Sequence, residues 1–172
     1  MKVFSSNSEF RMLSSEFDEN TFIAKRLIFP EGVLSEGKKY DLIVSNPPYF
    51  KSGIGTPATR RERARHQNSL SVYSLIEHAV SLLNPDGRLA VIFPMEQRDD
   101  VIEYAIDNSL TPIRECRFRD NEKRPEKRLM IEFSPKTDGE NKKLETEFLT
   151  LFENGEPTER YRELCGELYL KF

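Results

Sequence analysis

The stretch "YDLIVSNPPYF", Tyr40 to Phe50, constrains the fold more than any other part of the chain. Its first six residues are apolar on both faces at their centre. That pattern suits a central strand of a parallel sheet, which is covered from both sides. The strand then has to stop. Pro47 and Pro48 remove two backbone N–H donors and fix two φ angles. Each proline also pushes the residue before it towards extended geometry. The run therefore reads as a buried strand ending in a rigid corner that carries Asn46 and Tyr49.

The segments downstream fit such a strand into an alternating pattern. Residues 71–84 carry Val72, Leu75, Ile76, Ala79, Val80 and Leu83 at helical spacing. Asn84 to Gly87, "NPDG", reads as a turn, with Pro85 presetting φ and Gly87 tolerating a positive one. "RLAVIFP" (88–94) is a second buried strand, and residues 96–108 form a helix with Val101, Ile102, Ala105 and Ile106 on one face. Strands follow at 111–118 and 128–134, then "ETEFLTLFENG" as a strand and turn, then a helix begun by Pro157. Strand–helix–strand–helix–strand–strand predicts an α/β, Rossmann-like sheet with parallel centre. Residues 1–39 promise only one or two strands, with "FIAKRLIF" (22–29) the better one. Residues 40–172 form the substantial part.

At 172 residues the chain has the size of one domain. With 32% charged and 37% hydrophobic residues, no apolar run long enough for a membrane span and no leader pattern, it reads as a soluble cytoplasmic protein. Cys116 and Cys165 have no metal-ligand spacing and read as reduced core residues. The net charge of −3 speaks against wholesale nucleic-acid binding, yet residues 60–65 ("RRERAR") and 114–128 are both net positive. Screening confines a charge's field to roughly 8–10 Å, so a local basic face can still bind phosphate.

In an open α/β sheet, ligands bind beyond the carboxyl ends of the strands, where Asn46 would stand. The corner suits a planar amine. The side-chain oxygen of Asn46 and the carbonyl of Pro47 can each accept a hydrogen bond from an exocyclic NH₂ group, and Tyr49 offers a face for stacking. Two acceptors orient the amine so that its lone pair meets a methyl donor. Neither a histidine nor a metal is needed.

At these residues the chain resembles the class I, S-adenosylmethionine-dependent methyltransferases, through their Asn-Pro-Pro-Tyr motif. "TPATRRERARHQNSLSVYSLI", "RPEKRLMIEFS" and "YRELCGELYLKF" narrow the resemblance to the bacterial tRNA(Val) adenine-N6 methyltransferase family. The match runs from about Tyr40 to Phe172. It implies N6-methylation of an adenine in the anticodon loop of tRNA, with S-adenosylmethionine as cofactor. Asn46, Pro47, Pro48 and Tyr49 would hold the adenine. Lys51, Arg60, Arg61, Arg65 and His66 would lie in a substrate-side loop, and Lys123, Arg124, Lys127 and Arg128 in a basic segment facing RNA. Other readings stay open. The loop arginines can be simply solvated, His66 can cap the next helix, and the 123–128 cluster can pair with Glu122 and Glu126. His78, mid-helix, reads as structural.

The resemblance breaks at the cofactor. Class I enzymes use a glycine-rich turn after the first strand and an acidic residue ending the second. Neither is recognisable here: among eight glycines the close pair, Gly53 and Gly55, falls after the corner. The expectation is a methyltransferase sheet lacking its amino-terminal, cofactor-binding half. The strand edge left open would invite self-association. Two alternatives carry the same motif: methylation of an rRNA guanine or a protein glutamine, and a non-catalytic RNA-binding remnant.

Overall fold

The computed structural model describes residues 21–24 (as backbone), 39–47, 71–136 and 143–165. Seven strands form one sheet in the order β1-β2-β3-β5-β4-β6-β7. They are β1 (Thr21–Ala24), β2 (Tyr40–Ser45), β3 (Leu83–Pro94), β4 (Leu110–Asn121), β5 (Arg128–Pro135), β6 (Glu145–Glu153) and β7 (Glu156–Pro157). β1, β2 and β3 run parallel, β5 is antiparallel to both β3 and β4, and β6 is parallel to β4. β2, β3, β4 and β6 consequently point the same way, and their carboxyl ends share one edge of the sheet.

Helices α1 (Val72–Leu82) and α2 (Arg98–Asp107) connect β2 to β3 and β3 to β4. α1 begins with a capping box. The Ser71 hydroxyl accepts from the Ser74 amide at 3.1 Å, and the Ser74 hydroxyl accepts from the Ser71 amide at 3.1 Å. Its buried stripe of Val72, Leu75, Ile76 and Ala79 packs on Leu89, Val91 and Phe93 of β3 and on Leu129, Ile131 and Phe133 of β5. Leu83, read from sequence as helical, is instead the first residue of β3.

Other sequence expectations also need correction. On α2, Val101 and Ala105 are buried, but Tyr104 replaces Ile106, which is 51% exposed. The Tyr104 ring meets Tyr73 edge-on at 5.2 Å and its hydroxyl donates to Glu77, so an aromatic with a polar tip outcompetes isoleucine for that face. "NPDG" lies within β3. Between the pairs Tyr40↔Leu83 and Leu42↔Arg88, β3 advances five residues while β2 advances two, so the segment bulges. Gly87 serves close approach there: a Cβ would stand 2.8 Å from the Tyr40 carbonyl oxygen. Finally, β1 pairs along β2 from Thr21↔Leu42 to Ala24↔Ser45, so that among the described residues β1, and not β2, is the outer strand on that side.

A second, smaller cluster (Ile92, Cys116, Phe118 and Leu149) lies on the opposite face of the sheet, joined by Leu164 of α3 (Glu159–Cys165). Pro157 belongs to β7. Thr158 caps α3, its hydroxyl accepting from the Tyr161 amide at 3.3 Å. Both cysteines are buried thiols, neither of them in a disulfide.

Candidate active site

Asn46 and Pro47 follow directly on β2 at the carboxyl edge of the sheet, in the crevice-forming position for an open α/β fold. Ile43, Val44 and Ser45 before them are buried, Asn46 is half-buried and Pro47 buried. The corner is thus anchored by the best-covered part of the strand. Pro48, Tyr49, Lys51, Arg60, Arg61, Arg65 and His66 lie outside the described residues.

The basic segment reaches the same edge by a different route. Lys123 and Arg124 are in the turn joining β4 to β5, and Lys127 and Arg128 lead into β5; all four are exposed. The Met95 amide, just past the end of β3, donates to the Lys127 carbonyl at 2.9 Å, and the Lys127 amide donates to the Phe118 carbonyl at 3.1 Å. Arg128 pairs with Pro94, and Ser45 with Val91. Two strand spacings and the offset along the strands put Arg128 about 10–15 Å from Asn46. Lys127 bonds Asp120 at 2.8 Å, rather than the Glu122 or Glu126 that sequence offered. That hydrogen bond, only slightly opposed by burial, holds the Asp120 carboxyl below its usual range.

Two carboxylates escaped the sequence reading, which treated "RECRFR" as simply positive. Glu115 is buried, accepting from Arg98 Nε at 2.8 Å, Arg117 Nη2 at 2.6 Å and the Thr146 hydroxyl at 3.2 Å. Burial pushes its carboxyl up, but the hydrogen bonds from Arg98 and Arg117 outweigh this and leave it below the ordinary range. On the other face, Glu132 binds Arg114 at 2.8 Å and Arg88 at 3.6 Å. Alternation within β4 is the signal that was available: Arg114 and Glu115 must point to opposite faces. The two buried acids therefore hold these arginines in place within the sheet. His78 takes a structural role, its Nδ1 lying 2.6 Å from the Ser74 carbonyl oxygen of its own helix.

The two described glycines, Gly87 and Gly155, stand at the amino end of β3 and in the β6–β7 turn, so neither lines the edge beside Asn46. Among the described residues no glycine therefore offers, beside Asn46, the close backbone approach that a cradle for S-adenosylmethionine would use. Among them no cluster of His, Cys, Asp or Glu is arranged to hold a metal. No described helix is long and apolar enough to cross a membrane.

This mixed sheet, with its polar corner after a parallel strand, defines a class I methyltransferase fold. The solved structure of a predicted O-methyltransferase from Agrobacterium tumefaciens superposes on 81% of the chain and 58% of its own length, with a TM-score of 0.50 at 13% identity. The model of the Eco57I restriction-modification methylase family matches residues 2–98, and the chain belongs to that family. Among curated proteins it is 39% identical over 137 residues to the tRNA1(Val) (adenine(37)-N6)-methyltransferase of Parabacteroides distasonis. It is 36% identical over 134 residues to the protein of that name from Bacteroides fragilis. These alignments cover 79% and 77% of the chain but 56% and 55% of the relatives, so the chain spans just over half their length.

Proposed function

We propose that the protein takes part in N6-methylation of an adenine in tRNA, with S-adenosylmethionine as methyl donor. The observation that carries this reading is Asn46–Pro47 at the carboxyl end of the parallel strand β2, in a chain 39% identical to a tRNA adenine-N6 methyltransferase. The Asn46 side-chain oxygen and the Pro47 carbonyl accept the two N6 hydrogens, and Tyr49 stacks on the base. This turns the amine lone pair outward, and the contribution is orientation rather than basicity. The cofactor supplies an electrophilic methyl group when bound. Lys123, Arg124, Lys127 and Arg128 lie within reach of the phosphates flanking a base held at Asn46, and they supply sequence-independent attraction.

The test is methyl transfer to purified tRNA in the presence of S-adenosylmethionine, read as N6-methyladenosine by mass spectrometry of nucleosides. Asn46→Ala is expected to lower the rate by about 100-fold or more while tRNA affinity stays within about threefold. Methyl transfer instead to ribosomal RNA guanine or to a protein glutamine would reassign the substrate. Salt-dependent tRNA binding with no transfer to any of them would make the chain a binding module.

A further inference from the structure

β6 alternates "ETEFLTLFE", and its pairing with β4 sorts those residues by face. Thr146, Phe148, Thr150 and Phe152 stand opposite Glu115, Arg117, Arg119 and Asn121 on one face of the sheet. Glu145, Glu147 and Glu153, the acidic residues of β6, take the other face with Leu149 and Leu151. Among these facing residues of β4 and β6 the one carboxylate is Glu115, which is buried and already holds Arg98 and Arg117. Phe148 is nevertheless 68% exposed, with the Arg117 guanidinium 5.9 Å from its ring centre. Beside it Arg119 donates from Nε to the Thr150 hydroxyl at 3.0 Å. Phe152, further along, meets Tyr161 edge-on at 5.9 Å.

A large exposed aromatic with Arg117 against its ring and Arg119 two residues along the facing strand has the composition of a stacking platform for nucleic acid. An apolar protein partner would have to bury the Arg119 guanidinium, for which the facing residues of β4 and β6 offer no further carboxylate. We propose that the outer face of β4 and β6 docks unpaired RNA nucleotides, one base stacking on Phe148 while Arg119 takes an adjoining phosphate. This surface is separate from the Asn46 corner but opens towards the same carboxyl edge, so one RNA chain can engage both. The inference rests on the reading of RNA as substrate and extends it to a second point of contact.

The experiment is fluorescence anisotropy of a fluorescein-labelled single-stranded oligoribonucleotide, titrated with the full chain at low ionic strength. Phe148→Ala is expected to weaken binding about tenfold, the loss of one stacked base, and Phe148→Tyr to restore it. Arg119→Gln is expected to weaken binding and flatten its salt dependence by about one counterion. Both positions are at least partly exposed, and circular dichroism establishes that the variants are folded. Unchanged affinity in Phe148→Ala and Arg119→Gln overturns this surface while leaving the RNA reading intact. Absence of any affinity in the unsubstituted chain removes both. A dimer in sedimentation that Phe148→Ala dissolves, with RNA affinity unaltered, identifies a second copy as the occupant and also overturns the proposal.

Discussion

Glu115 shows how a single residue can reverse the meaning of a charge run. Its neighbours Arg114 and Arg117, with Arg119 beyond, look from sequence like a basic strip, yet its carboxylate binds Arg117 and draws in Arg98 from the start of α2. Replacing it by Gln leaves the partly buried Arg117 without a counter-charge and Arg98 with only the exposed Asp99. Glu115→Gln is expected to cost about 2–4 kcal/mol in urea unfolding, below the upper range for buried pairs because the arginines retain some solvent. The folded carboxyl lies below its reference value of 4.5. The stability it contributes is therefore full above that pH and lost as pH falls through the folded value. The variant should show a flatter acid-unfolding profile. Cys116 behaves in the opposite sense. Burial, helped by Glu147, pushes its thiol from 9.0 to about 11. Its contribution is complete below pH 9 and disappears as pH rises towards 11, because the unfolded chain ionises first. Cys116→Ala should remove that alkaline loss in denaturant titrations at pH 8 and pH 10, and an unaltered profile would exclude the thiol as its source.

At the scale of the element, β3 is the instructive case. The same four residues that signal a turn, "NPDG", are accommodated as a bulge because Leu83 and Arg88 both find partners on β2. Helix α1 also ends abruptly, Leu83 already extended at φ −83° and ψ 144°. Gly87 holds the two strands together at that point. Gly87→Ala places a methyl 2.8 Å from the Tyr40 carbonyl and 3.0 Å from that of Asn84, both backbone atoms that cannot move cheaply. The expected loss is about 1–3 kcal/mol, seen as a lower thermal midpoint. A midpoint equal to that of the unsubstituted chain would mean that the bulge relaxes freely. By contrast, α1 and the buried strands β3 and β5 were legible beforehand. The 3.6 period of α1 and the continuous apolar run of β3 are local features that need no partner to be recognised.

For the whole molecule, the parallel direction of β2, β3, β4 and β6 brings Asn46 and the β4–β5 turn to one edge. Those two segments are separated by more than seventy residues in sequence, so only the sheet order relates them. If this edge receives RNA, Lys123→Ala combined with Arg124→Ala should weaken tRNA binding at low salt by about tenfold. The slope of log affinity against log salt should fall by about two phosphate contacts. Measured by filter binding over a salt series, an unchanged slope would place the phosphate contacts elsewhere.

The sequence by itself determined the strand and its polar end from Tyr40 to Pro47, the amphipathic stripe of α1 and the α/β class. These follow from backbone sterics and hydrophobic period, which act over a few residues. It also displayed the Asn-Pro-Pro-Tyr resemblance, because that chemistry is contiguous. Only the tertiary structure decided that β1 covers the edge of β2, that Glu115 and Glu132 capture the arginines, and that Phe148 faces solvent beside Arg117. Each of those depends on which strands become neighbours and in what register. A shift of one residue would turn β6 over, exposing its glutamates in place of Phe148 and withdrawing the aromatic face.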